Sequence, residues 1–322
     1  MADMTTFFKD ITLQQPLVAQ MQQELTAQTL SHAYLLSGPP GTGKKSLALR
    51  FGFAILAQSD PNAALFFKEQ HHPDLLVLSR PENKTVLTKT QITDELIPWL
   101  GYKPYQAQSK VAILYDAHSL SPEGANALLK TLEEPPAYAV LLLVSDQENI
   151  LETIRSRCRI LSFPPISSEE LLALLKQKGC EGQKAQEIAG ISRGDASLAL
   201  HFLQEDLEAL QRQAIQLLEE LQTGSHSAVF QLAQALEAKG KPLFNLLWML
   251  LRDGCIEAET GNPSLRLLSG AAVSFSAPLA SREKLLENGA RIQRLWSYCD
   301  SHINALGLYV NIAWAFYHCF EL

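Results

Sequence analysis

The segment Gly38-Pro39-Pro40-Gly41-Thr42-Gly43-Lys44-Lys45 has the glycine and lysine spacing that wraps a backbone around a phosphate. Glycines let successive N–H groups turn inward. A helix starting at the lysine adds unpaired N–H groups and a positive dipole end. In this pattern Gly38, Gly41, Thr42 and Gly43 form the cradle, and Lys44 reaches the β- and γ-phosphates. The next position calls for Ser or Thr, whose hydroxyl ligates Mg²⁺. Here it is Lys45, and an ammonium has no lone pair to offer a metal. Ser46 comes one residue late, rotated by about 100° around the helix. The loop is predicted to suit a phosphate and to misfit its metal, so ATP or ADP is expected at most in a degenerate pocket.

A second chemical position follows the apolar run Val111-Ala112-Ile113-Leu114-Tyr115, which ends in Asp116. An acid at the end of such a strand sits near Mg²⁺ in nucleotide hydrolases. Its plainer role is to cap a turn. Hydrolases of this kind place a glutamate next to polarise water; here it is Ala117, and a methyl group orients no water. Lys45 and Ala117 together predict a fold that kept its shape and lost its turnover.

The elements that must position these residues are legible in the first half. Ala33–Ser37, Leu75–Ser79, Val111–Tyr115, Val140–Ser145 and, more weakly, Ile160–Phe163 read as strands. Helical patterns lie between them at Lys45–Ala57, Thr90–Leu100 and Ser121–Glu134. Strands alternating with helices predict a parallel sheet with crossover helices over residues 1–165. After Pro164-Pro165 the β signal fades. Residues 166–204 read as a small domain of three short helices, broken near Gly179–Gly182 and Gly190–Gly194. Residues 205–322 read as a long all-helical domain, interrupted at Thr223–His226, Gly240–Pro242, Gly261–Pro263 and Ser274–Pro278.

Composition narrows the function classes. The chain has 322 residues, 47% hydrophobic and 19% charged, as globular domains do. Its net charge of −7 argues against sequence-independent wrapping of nucleic acid, but allows a few phosphate contacts. No run reaches about 18 apolar residues, and the start MADMTTFFKD lacks a signal-peptide pattern. A cytoplasmic chain with no membrane association is expected. The five cysteines, Cys158, Cys180, Cys255, Cys299 and Cys319, form no CxxC and predict reduced thiols, with neither zinc nor disulfides.

Two further motifs carry a resemblance. Asn126-Ala127-Leu128-Leu129-Lys130-Thr131-Leu132-Glu133-Glu134-Pro135-Pro136, followed by Ser156-Arg157-Cys158, resembles the bacterial clamp-loader AAA+ family. The stretches His32–Lys44, His72–Asp74 and His302–Asn304 extend the likeness along nearly the whole chain. Lys45 and Ala117 make the chain more similar to the δ′ type of the DNA polymerase III holoenzyme than to the γ/τ motor type. So does Ser197, which falls where motors carry a sensor arginine.

The resemblance implies a stator without ATP turnover. It implies assembly with motor (γ/τ) and δ subunits, and through them with a sliding clamp and primed DNA. It implies Arg157 as an arginine finger directed at a neighbour's ATP, with Arg155 and Arg159 as alternatives; a surface salt bridge is the plain reading. Ser145 falls at the sensor-1 position. Thr88, Lys89 and Thr90, at a helix start, become candidates for a DNA phosphate, with simple capping as the alternative. The helical C-terminal domain and its aromatic tail become a collar. Relatives often carry a four-cysteine zinc module before the His-Pro-Asp stretch; residues 57–71 hold no cysteine, and His71 and His72 read as loop residues. An active motor ATPase, and less so a small-molecule kinase, remain the alternatives.

Overall fold

The computed structural model describes residues 4–81, 84, 86–147, 150–268, 279–299 and 305–320. The expected break at Ser274–Pro278 and the His302–Asn304 stretch lie outside the described residues. The contacts divide the chain into two compact units: residues 1–170 with Gly194–Ala196, and Leu171–Arg193 with Ser197–Leu322. The boundaries expected at 165–166 and 204–205 remain proposals.

The first unit is a five-stranded parallel sheet. Its strands are β1 (Ala33–Ser37), β2 (Leu75–Leu78), β3 (Lys110–Leu114), β4 (Ala139–Ser145) and β5 (Arg159–Ser162), in the spatial order β2-β3-β4-β1-β5. Its helices are α1 (Gln15–Ala27), α2 (Lys44–Ala57), α3 (Ala63–Phe67), α4 (Ile97–Gly101), α5 (Pro122–Glu133) and α6 (Glu152–Arg155). Alternate residues of the central strands enter two different cores. Tyr34, Leu36, Ile113, Leu142 and Val144 join α1 and α2 on one face. Ala33, Leu35, Ala112, Leu114, Leu141 and Leu143 join α4 and α5 on the other. Both faces are covered, which is why these strands read as continuous apolar runs. α2 is buried on nearly every side from Leu47 to Ala57, and so carries no polar stripe.

The chain leaves β1 toward one side of the sheet and β4 toward the other. This makes the carboxyl ends of β1 and β4 a topological switch point, where open α/β sheets place their ligands. Ser37 and Ser145 are register partners there.

Two buried acids brace this unit. The carboxylate of Asp74, 0% exposed, accepts backbone N–H groups from Tyr105 (2.6 Å), Gln106 (2.7 Å) and Ala107 (2.9 Å). Asp60 pairs with His72 Nε2 at 2.9 Å, and His72 Nδ1 accepts the N–H of Asp74 at 3.0 Å. His72 thus lies in a loop as read, but buried and bonded on both nitrogens. The expected helix 90–100 is a π-helical stretch, Gln91–Leu96, running into α4.

In the second unit the helices are α7 (Ser168–Gln177), α8 (Gly182–Ser192), α9 (Ala196–Gln204), α10 (Leu207–Leu221), α11 (His226–Lys239), α12 (Lys241–Thr260), α13 (Arg282–Trp296) and α14 (Ala305–Tyr317). Gly190 lies inside α8; the break comes at Arg193, which takes φ 49°. Aromatic rings order the packing. Phe244 stacks on Trp296 at 3.9 Å, and Phe316 is fully buried. Asp253, 3% exposed, accepts the N–H groups of Leu267 and Leu268. Among the described residues no helix is long and apolar enough to cross a membrane.

Removing Asp74 leaves three backbone donors without their acceptor. Asp74→Ala is expected to lower stability by about 3 kcal/mol; urea unfolding within 1 kcal/mol of wild type would contradict the bracing role.

Candidate functional site: a phosphate loop with its metal position filled by lysine

β1 feeds the loop Gly38–Gly43, and α2 begins at Lys44. Two glycines are required by geometry. Gly38 has φ 153°, and a Cβ there falls 2.1 Å from the carbonyl oxygen of Phe163. Gly41 has φ 75°, and a Cβ there falls 1.8 Å from Asp195 Oδ1. The Ala196 N–H also bonds the Gly41 carbonyl at 2.8 Å, so the Gly194–Ala196 stretch is laced onto the loop.

Lys44 is 3% exposed. Its ammonium donates to the carbonyl of Gly38 (2.8 Å), to the carbonyl of Pro39, and to Thr42 Oγ1 (3.1 Å). It also pairs with Asp146 Oδ1 at 2.9 Å. Burial pushes the Lys44 ammonium below its usual range, while Asp146 and Asp195 pull the other way. Thr42 donates to the Pro39 carbonyl at 3.0 Å. The donor set fits a phosphate: a glycine cradle, a lysine, and the first-turn N–H groups of α2, which have no acceptor within the helix. A phosphate reaching Lys44 must displace Asp146.

Magnesium does not fit. At the hydroxyl's position stands Lys45, whose Nζ lies 2.9 Å from Asp116 Oδ1. The same ammonium lies 5.3 Å from the centre of the Tyr115 ring, and the Tyr115 hydroxyl donates to the Lys45 carbonyl at 3.3 Å. Burial first, and the Asp116 charge second, push the Tyr115 phenol up to about 12. Asp116 has φ 55° and makes no side-chain capping bond, so its carboxylate serves Lys45 and not a turn. Ala117 is 3% exposed and packs in the core shared with α4 and α5. His118 Nδ1 accepts the Asp146 N–H at 3.4 Å, and burial lowers its pKa.

The remaining predicted residues fall in three places. Ser145 is fully buried, and its hydroxyl donates to the Gln147 carbonyl at 2.5 Å while accepting the Gln147 N–H at 3.1 Å. Thr88 and Gln91 form a reciprocal cap: Thr88 N–H to Gln91 Oε1 at 3.1 Å, and Gln91 N–H to Thr88 Oγ1 at 3.4 Å. Lys89 and Thr90 are exposed beside it. Arg157 follows α6, bonded to the Thr153 carbonyl (2.8 Å) and to Glu133 Oε1 (2.6 Å). Arg159 is held instead by the buried Glu24 at 2.8 Å, and Glu24 also accepts the Tyr34 hydroxyl at 2.6 Å. Arg155 is exposed at the end of α6. Cys158 packs against the α5 core, and burial pushes its thiol up to about 12. Among the described residues no group of three His, Cys, Asp or Glu is placed to hold a metal ion.

Sequence reasoning missed Asp146 and Asp195. The available signal for Asp146 was its place directly after β4, beside the end of β1. Asp195 comes from a stretch remote in sequence, and nothing local marks it.

Gly41→Ala is expected to destabilise the fold by about 2 kcal/mol or more, since strain adds to the clash with Asp195. Gly43→Ala, at φ 85° with nothing within 4 Å of its added Cβ, carries the backbone strain alone, about 1–2 kcal/mol. Equal losses in urea unfolding would contradict the close approach of Asp195.

Residues 13–167 match the family model described as DNA polymerase III, delta subunit. The delta′ subunit of Pseudomonas aeruginosa is 32% identical over 201 residues, covering 51% of this chain and 61% of that protein. The gamma subunit of Buchnera aphidicola is 31% identical over 175 residues, covering 53% of this chain and 48% of that protein. The tau subunit of Bacillus subtilis is 31% identical over 179 residues, covering 53% of this chain and 31% of that protein. The chain thus spans between about a third and three-fifths of these relatives' lengths. A gamma subunit-related protein from Thermotoga maritima superposes with a TM-score of 0.47 at 20% identity, covering 93% of this chain and 99% of that one. Residues 13–167 of this chain are thus similar to delta, delta′ and gamma/tau subunits of DNA polymerase III.

Proposed function

We propose that this chain is the δ′-type stator of a bacterial clamp loader, a cytoplasmic subunit without ATP turnover of its own. In this reading it assembles with motor (γ/τ) and δ subunits to load a sliding clamp on primed DNA during replication. The observation that carries it is the Lys45–Asp116 ion pair, which puts an ammonium where a hydrolase holds its metal. The methyl of Ala117 where water must be polarised supports the same reading.

Arg157 is the arginine finger of this proposal. Its guanidinium is planar, always charged, and matched to phosphate oxygens. Its bond to Glu133 joins two partly exposed side chains, at 34% and 51%. Such pairs contribute about 0–1 kcal/mol, so a neighbour's γ-phosphate can replace Glu133 at little cost. Buried Glu24 gives Arg159 a structural task, which favours Arg157 between the two. Lys89 and Thr90 are the candidates to touch a template phosphate, with Thr88 as their cap. The alternative, an active motor subunit, is favoured by the retained Lys44 and by the likeness to gamma and tau subunits.

A complex reconstituted from motor subunits with either wild-type chain or Arg157→Ala tests the proposal. The variant is expected to assemble equally and to lower hydrolysis about 10³-fold at the one site it completes. Single-turnover measurement on primed DNA resolves that site from the others. Unchanged hydrolysis in an intact assembly would overturn the finger.

A further inference from the structure

We propose that the Lys45 ammonium takes the place of the divalent cation, so that the loop Gly38–Lys44 binds a nucleoside polyphosphate without magnesium. The inference rests on the phosphate-loop reading above, and is independent of Arg157.

A metal at such a site neutralises phosphate charge and bridges it to the strand-end acid. Here Lys45 stands on the first turn of α2, directly after the loop lysine, and its Nζ already meets Asp116 Oδ1 at 2.9 Å. It is held at two further points, over the Tyr115 ring and through the Tyr115 hydroxyl on its carbonyl. The side chain is half exposed, at 50%, so it is not sealed from a ligand lying along the loop. One charge is thereby fixed on the side of the loop where the hydroxyl and metal belong. Mg²⁺ demands oxygen ligands at about 2.0–2.1 Å in an octahedron, and Asp116 offers its oxygen to nitrogen instead. An ammonium beside the acid also repels a dication electrostatically. The acids facing the loop are Asp146 on Lys44 and Asp195 against Gly41. Asp146 is paired with Lys44, which also feels the charge of Asp195, and a polyphosphate exchanges with Asp146 for Lys44 as one anion for another. The two lysines, one buried and one half exposed, then share the phosphate charge that a lysine and a metal share elsewhere.

The test is titration of the full chain with a fluorescent ADP analogue, in excess Mg²⁺ and in EDTA. The expected result is the same Kd in both, within about twofold, and loss of binding in Lys44→Ala. Lys45→Thr supplies a hydroxyl and frees Asp116. It is expected to bind at least tenfold more tightly in Mg²⁺ than in EDTA. Circular dichroism confirms that each variant is folded, and a Lys45→Gln variant, expected to weaken binding in both buffers alike, guards against a Thr-specific defect. Wild-type binding that vanishes in EDTA overturns the inference. So does the absence of binding in both buffers. Neither result touches the arginine-finger proposal, which stands or falls on Arg157→Ala in the assembled complex.

Discussion

The Lys44 ammonium is buried at the end of β1, where an unpaired cation would cost several kcal/mol. Its partners dictate how this end of the sheet is built. The Gly38 and Pro39 carbonyls fold the loop back over it, Thr42 closes the turn, and Asp146 comes from the strand beside β1. That last contact depends on the β1–β4 register, in which Ser37 faces Ser145. A slip of one residue would exchange the two faces of β4 and remove Asp146 from reach. Holding the register in turn requires both cores, since β4 is buried along its whole length. The loop, the sheet order and the two-faced packing are one arrangement viewed at three scales.

Lys45 follows from the same constraint. Two consecutive cations at a helix start, where the dipole is already positive, need two separate anions. Asp146 serves the first and Asp116 the second, and each comes from the end of a different strand. The consequence is chemical. With Asp116 paired to nitrogen and Ala117 in the core, the site keeps charge complementarity for phosphate and loses the parts that activate water. In the proposed function the catalytic charge is that of Arg157, whose Glu133 partner is solvent-exposed and easily exchanged.

The strands, α2, α5 and the phosphate loop were legible because each is written locally: apolar runs, glycine spacing and a Ser-Pro helix start. The start of α2 falls one residue before expectation, at Lys44, and its end at Ala57 is as expected. α1 was not legible. It starts after Gln14, which has φ 56° and gives no side-chain cap; it is fixed by distant partners, Glu170 and the Pro164 carbonyl. The π-helical turn at Gln91–Leu96 has no signature in the apolar spacing. Nor could the tie between Arg159 and Glu24, or the lacing of Asp195 to Gly41, be read from residues so far apart. The retained lysine was legible; the two acids that hold it and its neighbour in place were legible only in part, through Asp116.

A site proposed to hold charge without turning over ATP is tested by its rate. The direct measurement is hydrolysis by the purified chain, with Mg²⁺ and primed DNA, compared with Lys44→Ala. Equal, background rates are predicted for both. Turnover by the wild type above the Lys44→Ala rate would contradict the stator reading and make this chain a motor.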